Sequence, residues 1–216
     1  MERGQINLDS SLGCMIYDIV KQDDVRVIFE IGMWNGMGST RCIEQSIVDS
    51  GKKDYLVYSL ETDRNMYDKA IKNSMGLENF NLILGTLVTP QDFLNLDEVS
   101  DLFFVEHSRE IQKGWLKTDV NNCTNVPNVE HLIPESIDLL ILDGGEFSTY
   151  TEFHKLKDRS RIIVLDDTRT LKCNKIRQEI LDDASFEILA DALFERNGYL
   201  VCLQHMRDKD NEHNSI

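Results

Sequence analysis

The sequence predicts an α/β fold with a mostly parallel central sheet, and three observations predict it. Short β-rich apolar runs alternate with longer amphipathic segments along the 216 residues, the pattern of repeated strand–helix units. Three of those runs, 26–31, 137–142 and 161–165, are almost continuously apolar, as strands are when helices cover both faces of a sheet. Acids stand at or near the ends of four strands, at Glu30, Glu61, Asp143 and the pair Asp166–Asp167, and the carboxyl ends of strands are where open parallel sheets collect their ligands.

The elements follow in order. RVIFEI, 26–31, is the first strand, and a helix starts near Ser39 and ends near Gly51. YLVYSL, 55–60, is the second strand, followed by a helix over 64–76 that Gly76 closes. FNLILG, 80–85, is the third strand. Residues 89–136 read partly as loop or lid, with 107–117 helical and 121–135 irregular. IDLLIL, 137–142, is the fourth strand, with a helix over 149–157, and RIIVL, 161–165, is the fifth, with a helix over 174–183. FEILAD and YLVCLQ flank Asn197-Gly198 as an antiparallel hairpin, and that pair predicts a type I′ turn. The first 20 or so residues read as a helix or arm and the tail 207–216 as frayed, so residues 1–216 form one domain.

Composition excludes several classes. No run of 18 apolar residues occurs and the N-terminus is polar, so neither a membrane span nor a secretory leader is expected, and the location is expected to be cytoplasmic. A net charge of −15 argues against a nucleic-acid partner, which needs a basic face. Five scattered cysteines without a CxxC fit free thiols better than zinc or disulfides.

The stretch FEIGMWNGMGST, 29–40, places Gly32, Gly36 and Gly38 after the first strand. The spacing GxxxGxG is neither the dinucleotide GxGxxG nor a P-loop, because no lysine follows. The loop offers backbone N–H groups and a helix start, capped by Ser39 or Thr40, that suit a carboxylate. Glu61, one strand–helix unit later, is placed to accept from ribose hydroxyls. A ligand with a carboxylate, a ribose and no phosphate is S-adenosyl-L-methionine.

On these residues the chain resembles the class I S-adenosylmethionine-dependent methyltransferases. FEIGMWNGMGST matches the first motif, SLET (59–62) the acid after strand 2, and IDLLILDGG and RIIVLDD the later strand–acid segments. The resemblance covers roughly 25–205 and implies a Rossmann-like sandwich with a seven-stranded, mostly parallel sheet whose last strand is antiparallel. It implies that Glu30, Gly32, Asn35, Gly36 and Ser39 hold the methionine part, that Glu61 binds the ribose, and that Thr62, Gly85 and Thr86 lie by the adenine, with Asp143 in the same pocket.

LDGGEFSTYTEF (142–153) with LDDT (165–168) is similar to the metal-dependent sugar O-methyltransferases of the macrocin and mycinamicin type. That resemblance implies Mg²⁺ held by Asp143, Asp166 and Asp167, a ligand set of hard oxygens. It implies catalysis by Asp143 and a nearby base. Relatives carry His or Asp for that base where this chain has Gly145 then Glu146, so Glu146 is the base expected here. Plainer readings stand beside these: Asp143 lining a metal-free pocket, Asp167 capping 168–172, and Glu146 capping the next helix. The expected function is methylation of a sugar hydroxyl in a glycan or glycoconjugate, by a possible homo-oligomer or one part of a larger glycan-assembly protein. The alternatives are a catechol-type O-methyltransferase and a nucleoside-binding domain without chemistry.

Overall fold

The computed structural model describes residues 4–99, Phe103 and 107–205; the tail expected to fray, 207–216, lies outside them. Helix α1 (Ser11–Val20) precedes β1 (Val27–Ile31), α2 (Ser39–Ser50), β2 (Leu56–Glu61), α3 (Arg64–Asn73) and β3 (Phe80–Leu84). Then come α4 (Arg109–Thr124), β4 (Ile137–Leu142), α5 (Thr149–Leu156), β5 (Ser160–Asp166), α6 (Asn174–Asp182), β6 (Phe186–Ala192) and β7 (Tyr199–Gln204). The strands form one seven-stranded sheet in the order β3-β2-β1-β4-β5-β7-β6. Strands β1 to β5 pair in parallel, and β7 lies antiparallel between β5 and β6.

Alternation along the strands divides the core into two layers. Ile28, Leu139, Ile141, Ile162, Val164 and Val201 face one side, where Leu12 and Ile16 of α1 and Ile43 and Ile47 of α2 pack on them. Their neighbours Phe29, Leu140, Leu142, Ile163, Leu165 and Leu200 face the other, under Phe153 and Leu156 of α5 and Ile176 and Ile180 of α6. A period of two thus buries both faces of the central strands, which is why those runs carry no polar alternation.

Local chemistry sets the helix ends. Ser10 Oγ accepts from Gly13 N at 3.1 Å to cap α1, and Asp63 Oδ1 accepts from Asn65 N at 2.8 Å to cap α3. Gly51, at φ 67°, closes α2.

Three expectations need correction. Gly38 is the N-cap of α2 and no side chain caps it; Thr40 Oγ1 instead donates to Glu30 Oε2 at 2.8 Å. The expected loop over 121–135 is partly helix, because α4 runs on to Thr124. The hairpin is present, but its turn is not type I′. The strands part after Ala192 and rejoin at Tyr199, with positive φ at Arg196 and Gly198 and not at Asn197, whereas a type I′ turn needs it at both central residues. The wider loop carries Arg196 and Asn197 to the acids at the end of β5.

Candidate functional site

Strand β1 ends in a turn that only glycine fits. Gly32 sits at φ 89°, and a Cβ there would lie 2.1 Å from the Asp143 carbonyl oxygen, so the ends of β1 and β4 touch through backbone. Gly32→Ala is expected to cost about 1–2 kcal/mol through the left-handed conformation, with the clash against the Asp143 carbonyl added to it, read as a lower urea midpoint; an unchanged midpoint would show that the loop tolerates a side chain. Trp34 also has a positive φ, 49°, and its N–H donates to Glu61 Oε2 at 2.8 Å. That bond ties the loop to the end of β2. The N-terminal segment lies over the loop, with Gly4 N donating to Met37 O at 3.0 Å.

Glu61 is the hub of this end of the sheet. Its Oε1 accepts from Thr62 N and Asp63 N, each at 2.8 Å. Burial pushes its carboxyl up to about 7 in spite of these donors. Glu152, on α5 and fully buried, is likewise pushed up to about 7 by burial. Asp119 on α4 is pushed up to about 6, by burial first and then by the charge of Glu146.

A pocket of about 730 Å³ opens over the carboxyl ends of the strands. It brings together Gly32, Ser39, Glu61, Thr62, Thr86, Asp143, Asp166 and Asp167, eight positions singled out from the sequence. It does not bring in the others. Glu30 is fully buried beneath the loop, where Thr40 and Ser59 donate to its carboxylate. Asn35 braces the loop, its Oδ1 accepting from Met37 N at 3.0 Å and its carbonyl from Asn73 Nδ2 at 2.9 Å. Gly36 lets the loop pack on α3, its missing Cβ 3.1 Å from Ala70 Cα. Gly85 makes room for Val129. Glu146 stands beside the pocket but off its wall, turned to accept from Lys172 N at 3.3 Å while the next residue, Phe147, is fully buried.

Sequence reasoning missed several groups at the pocket. Asp63, Asp119 and Glu152 join its wall, so it carries seven carboxylates, and Arg196 is the one lysine or arginine on it among the described residues. Lys172, from the turn before α6, is 6% exposed and stands behind the wall. Its Nζ donates to Asp143 Oδ1 at 2.7 Å and to Asp167 Oδ2 at 2.6 Å. Arg196 Nη2 donates to Asp166 Oδ2 at 2.8 Å and Asn197 Nδ2 to Asp167 Oδ1 at 3.0 Å. Burial alone would lower the Lys172 pKa, but Asp143, Asp167 and Asp166 hold it well above its ordinary value. Burial likewise favours protonation of Asp167, but Lys172, with Asn197 and Arg196, outweighs it, so the carboxyl stays below its usual range.

Asp143, Asp166 and Asp167 each offer an oxygen within 4.8 Å of the others, a spacing a shared cation could bridge. A Mg²⁺ held by Asp143 Oδ1 and Asp167 Oδ2, about 2.0–2.1 Å from each, would overlap the Lys172 ammonium that contacts both. The three acids are spaced to share the Mg²⁺ expected from the sequence, and the Lys172 ammonium competes with it for two of their oxygens.

The sheet order, the antiparallel seventh strand and the glycine turn after β1 define the Rossmann-like class I methyltransferase fold. Solved structures share it. A methyltransferase from Geobacter sulfurreducens superposes with a TM-score of 0.56 at 12% identity, covering 93% of this chain and 81% of that one. The O-methyltransferase NovP gives 0.54 at 13%, covering 90% and 79%. A candidate rRNA-methylase from Clostridium thermocellum gives 0.54 at 12%, covering 94% and 99%. No protein-family model matches the chain, and neither does any curated protein.

Proposed function

We propose that the chain is an S-adenosylmethionine-dependent O-methyltransferase acting on a hydroxyl of a sugar in a glycan or glycoconjugate. One observation carries the cofactor half. The glycine turn, the α2 start and Glu61 line one pocket whose wall is rich in carboxylates. S-adenosylmethionine carries a sulfonium and an ammonium against a single carboxylate, so an acidic wall attracts it. Glu61 would hold the ribose hydroxyls, Gly32 and Ser39 the methionine end, and Thr62 and Thr86 the adenine side. When bound, the cofactor supplies a methyl group already activated on sulfur, so the protein supplies alignment and removal of one proton.

Glu152 is the base in this reading. It lies on the pocket wall, and a carboxyl near 7 matches general-base work at neutral pH. Asp143 lines the same wall and would position the acceptor hydroxyl by accepting from it. The sugar assignment rests on the LDGGEFSTYTEF and LDDT resemblance and on a wall rich in hydrogen-bond acceptors for a polyhydroxyl face. The O-methyltransferase NovP shares the fold and adds a weaker support.

A mass-spectrometric screen with isotope-labelled cofactor tests the reading. Glycosides, catechols and RNA are offered side by side, with and without chelator. The expected result is label on a glycoside hydroxyl. Label on RNA or a catechol alone overturns the sugar assignment. Stabilisation by S-adenosylhomocysteine with no transfer to any acceptor leaves a nucleoside-binding domain instead.

A further inference from the structure

We propose that Lys172 is a built-in cation that takes the place of a divalent metal ion at this crevice and excludes one. Its ammonium lies between Asp143 and Asp167, 2.7 and 2.6 Å from their oxygens. The third acid, Asp166, is met by Arg196 at 2.8 Å. Two positive charges from the chain therefore face three carboxylates, the same charge that one divalent ion would bring. The remaining oxygen of Asp167 accepts from Asn197 at 3.0 Å, so that carboxylate is satisfied on both sides by protein donors.

Burial explains why the substitution is firm. A lysine that is 6% exposed cannot leave its partners without stranding a charge in a poorly solvated place. A metal ion would have to expel this ammonium before it could bind Asp143 Oδ1 and Asp167 Oδ2. The ammonium is a compact point charge with three donors, which lets it bridge two acids as a small cation does.

The two cations differ in what they can do. Lys172 lies behind the pocket wall, whereas the three aspartates and Arg196 are on it. An acceptor hydroxyl can then meet the carboxylates but not the ammonium. Lys172 is a positioning residue: it orients and neutralises Asp143 and Asp167, and proton removal is left to a carboxylate. The exclusion of metal does not depend on what the pocket binds. Only its consequence, methyl transfer indifferent to chelator, rests on the methyltransferase reading.

Manganese(II) is the probe, because its paramagnetic resonance signal reports the free ion directly. The full chain and its Lys172→Ala and Lys172→Gln variants are titrated with Mn²⁺ at neutral pH, and each variant is melted with and without the ion. Wild type is expected to leave Mn²⁺ free. Lys172→Ala is expected to bind one ion per chain, at least about tenfold more tightly than wild type, because three acids then keep only one cationic partner. Its melting point should rise on adding the ion. A stoichiometric Mn²⁺ in wild type, displaced by Mg²⁺, overturns the proposal, as does a folded variant that binds no better than wild type. If both variants fail to fold, the wild-type titration decides alone. Failure of the methyltransferase reading is a separate outcome, since the resonance signal needs no acceptor and no turnover.

Discussion

Glu61→Ala is expected to weaken S-adenosylhomocysteine binding about a hundredfold, the cost of roughly two hydrogen bonds to a charged acceptor. Two losses combine. The ribose hydroxyls would lose the carboxylate assigned to them, and the N–H groups of Trp34, Thr62 and Asp63 lose theirs. The second loss matters because Trp34 holds a positive φ, which relaxes once its N–H is released. Glu61→Gln is not a silent control, since its NH₂ group must face either Trp34 N–H or the Thr62–Asp63 pair. Isothermal titration at pH 8 reads both variants. Wild-type affinity in Glu61→Ala would remove Glu61 from the cofactor site.

Glu152→Gln is expected to stabilise the fold and slow the chemistry. Burial raises this carboxyl from the ordinary 4.5 to about 7, so the folded chain holds the proton more tightly than the unfolded chain does. The ionised group therefore adds no penalty below about 4.5. The penalty grows as pH rises toward 7 and is complete above it. Glutamine has no proton to lose, so the variant should match wild type at pH 4 and exceed it at pH 8 by about 3 kcal/mol. Urea midpoints at the two pH values check this. A difference that does not change with pH would show that Glu152 ionises as freely in the fold as out of it. If Glu152 is the base, methyl transfer in the variant falls while cofactor affinity holds, the usual cost of removing a strained catalytic charge.

The sheet was legible because its signals are local. A buried strand needs a run of apolar residues wherever it lies, and the 26–31, 137–142 and 161–165 runs met that need. The acids at the strand ends were legible for the same reason, since the end of a strand is visible where its apolar run stops. The groups that surround those acids were not. Lys172 ends the segment 168–172, marked in the sequence only as one that Asp167 could cap, and lysine is rarely buried. Its partners Asp143 and Asp167 come from other elements, and only three-dimensional proximity joins them. Glu152 stood unmarked in the expected helix over 149–157, and Asp119 fell within 89–136, read partly as loop or lid. Glu30 and Gly36 were recognised as special, but their work is internal: one ties Thr40 and Ser59 to β1, the other admits α3. The turn at Asn197-Gly198 misled because β6 stops at Ala192 and β7 starts at Tyr199, so the pair ends a longer loop instead of joining two strands directly.

The position of β7 has a consequence for how the chain matures. It is the last strand among the described residues, yet it slots between β5 and β6, and the loop leading into it delivers Arg196 and Asn197 to the acids. As the polypeptide leaves the ribosome, the earlier strands can assemble while Asp166 still lacks its arginine. Gly32, Ser39 and Glu61 come from elements made earlier, so the acids at the end of β5 are the part of the pocket that waits for the β6–β7 hairpin to dock.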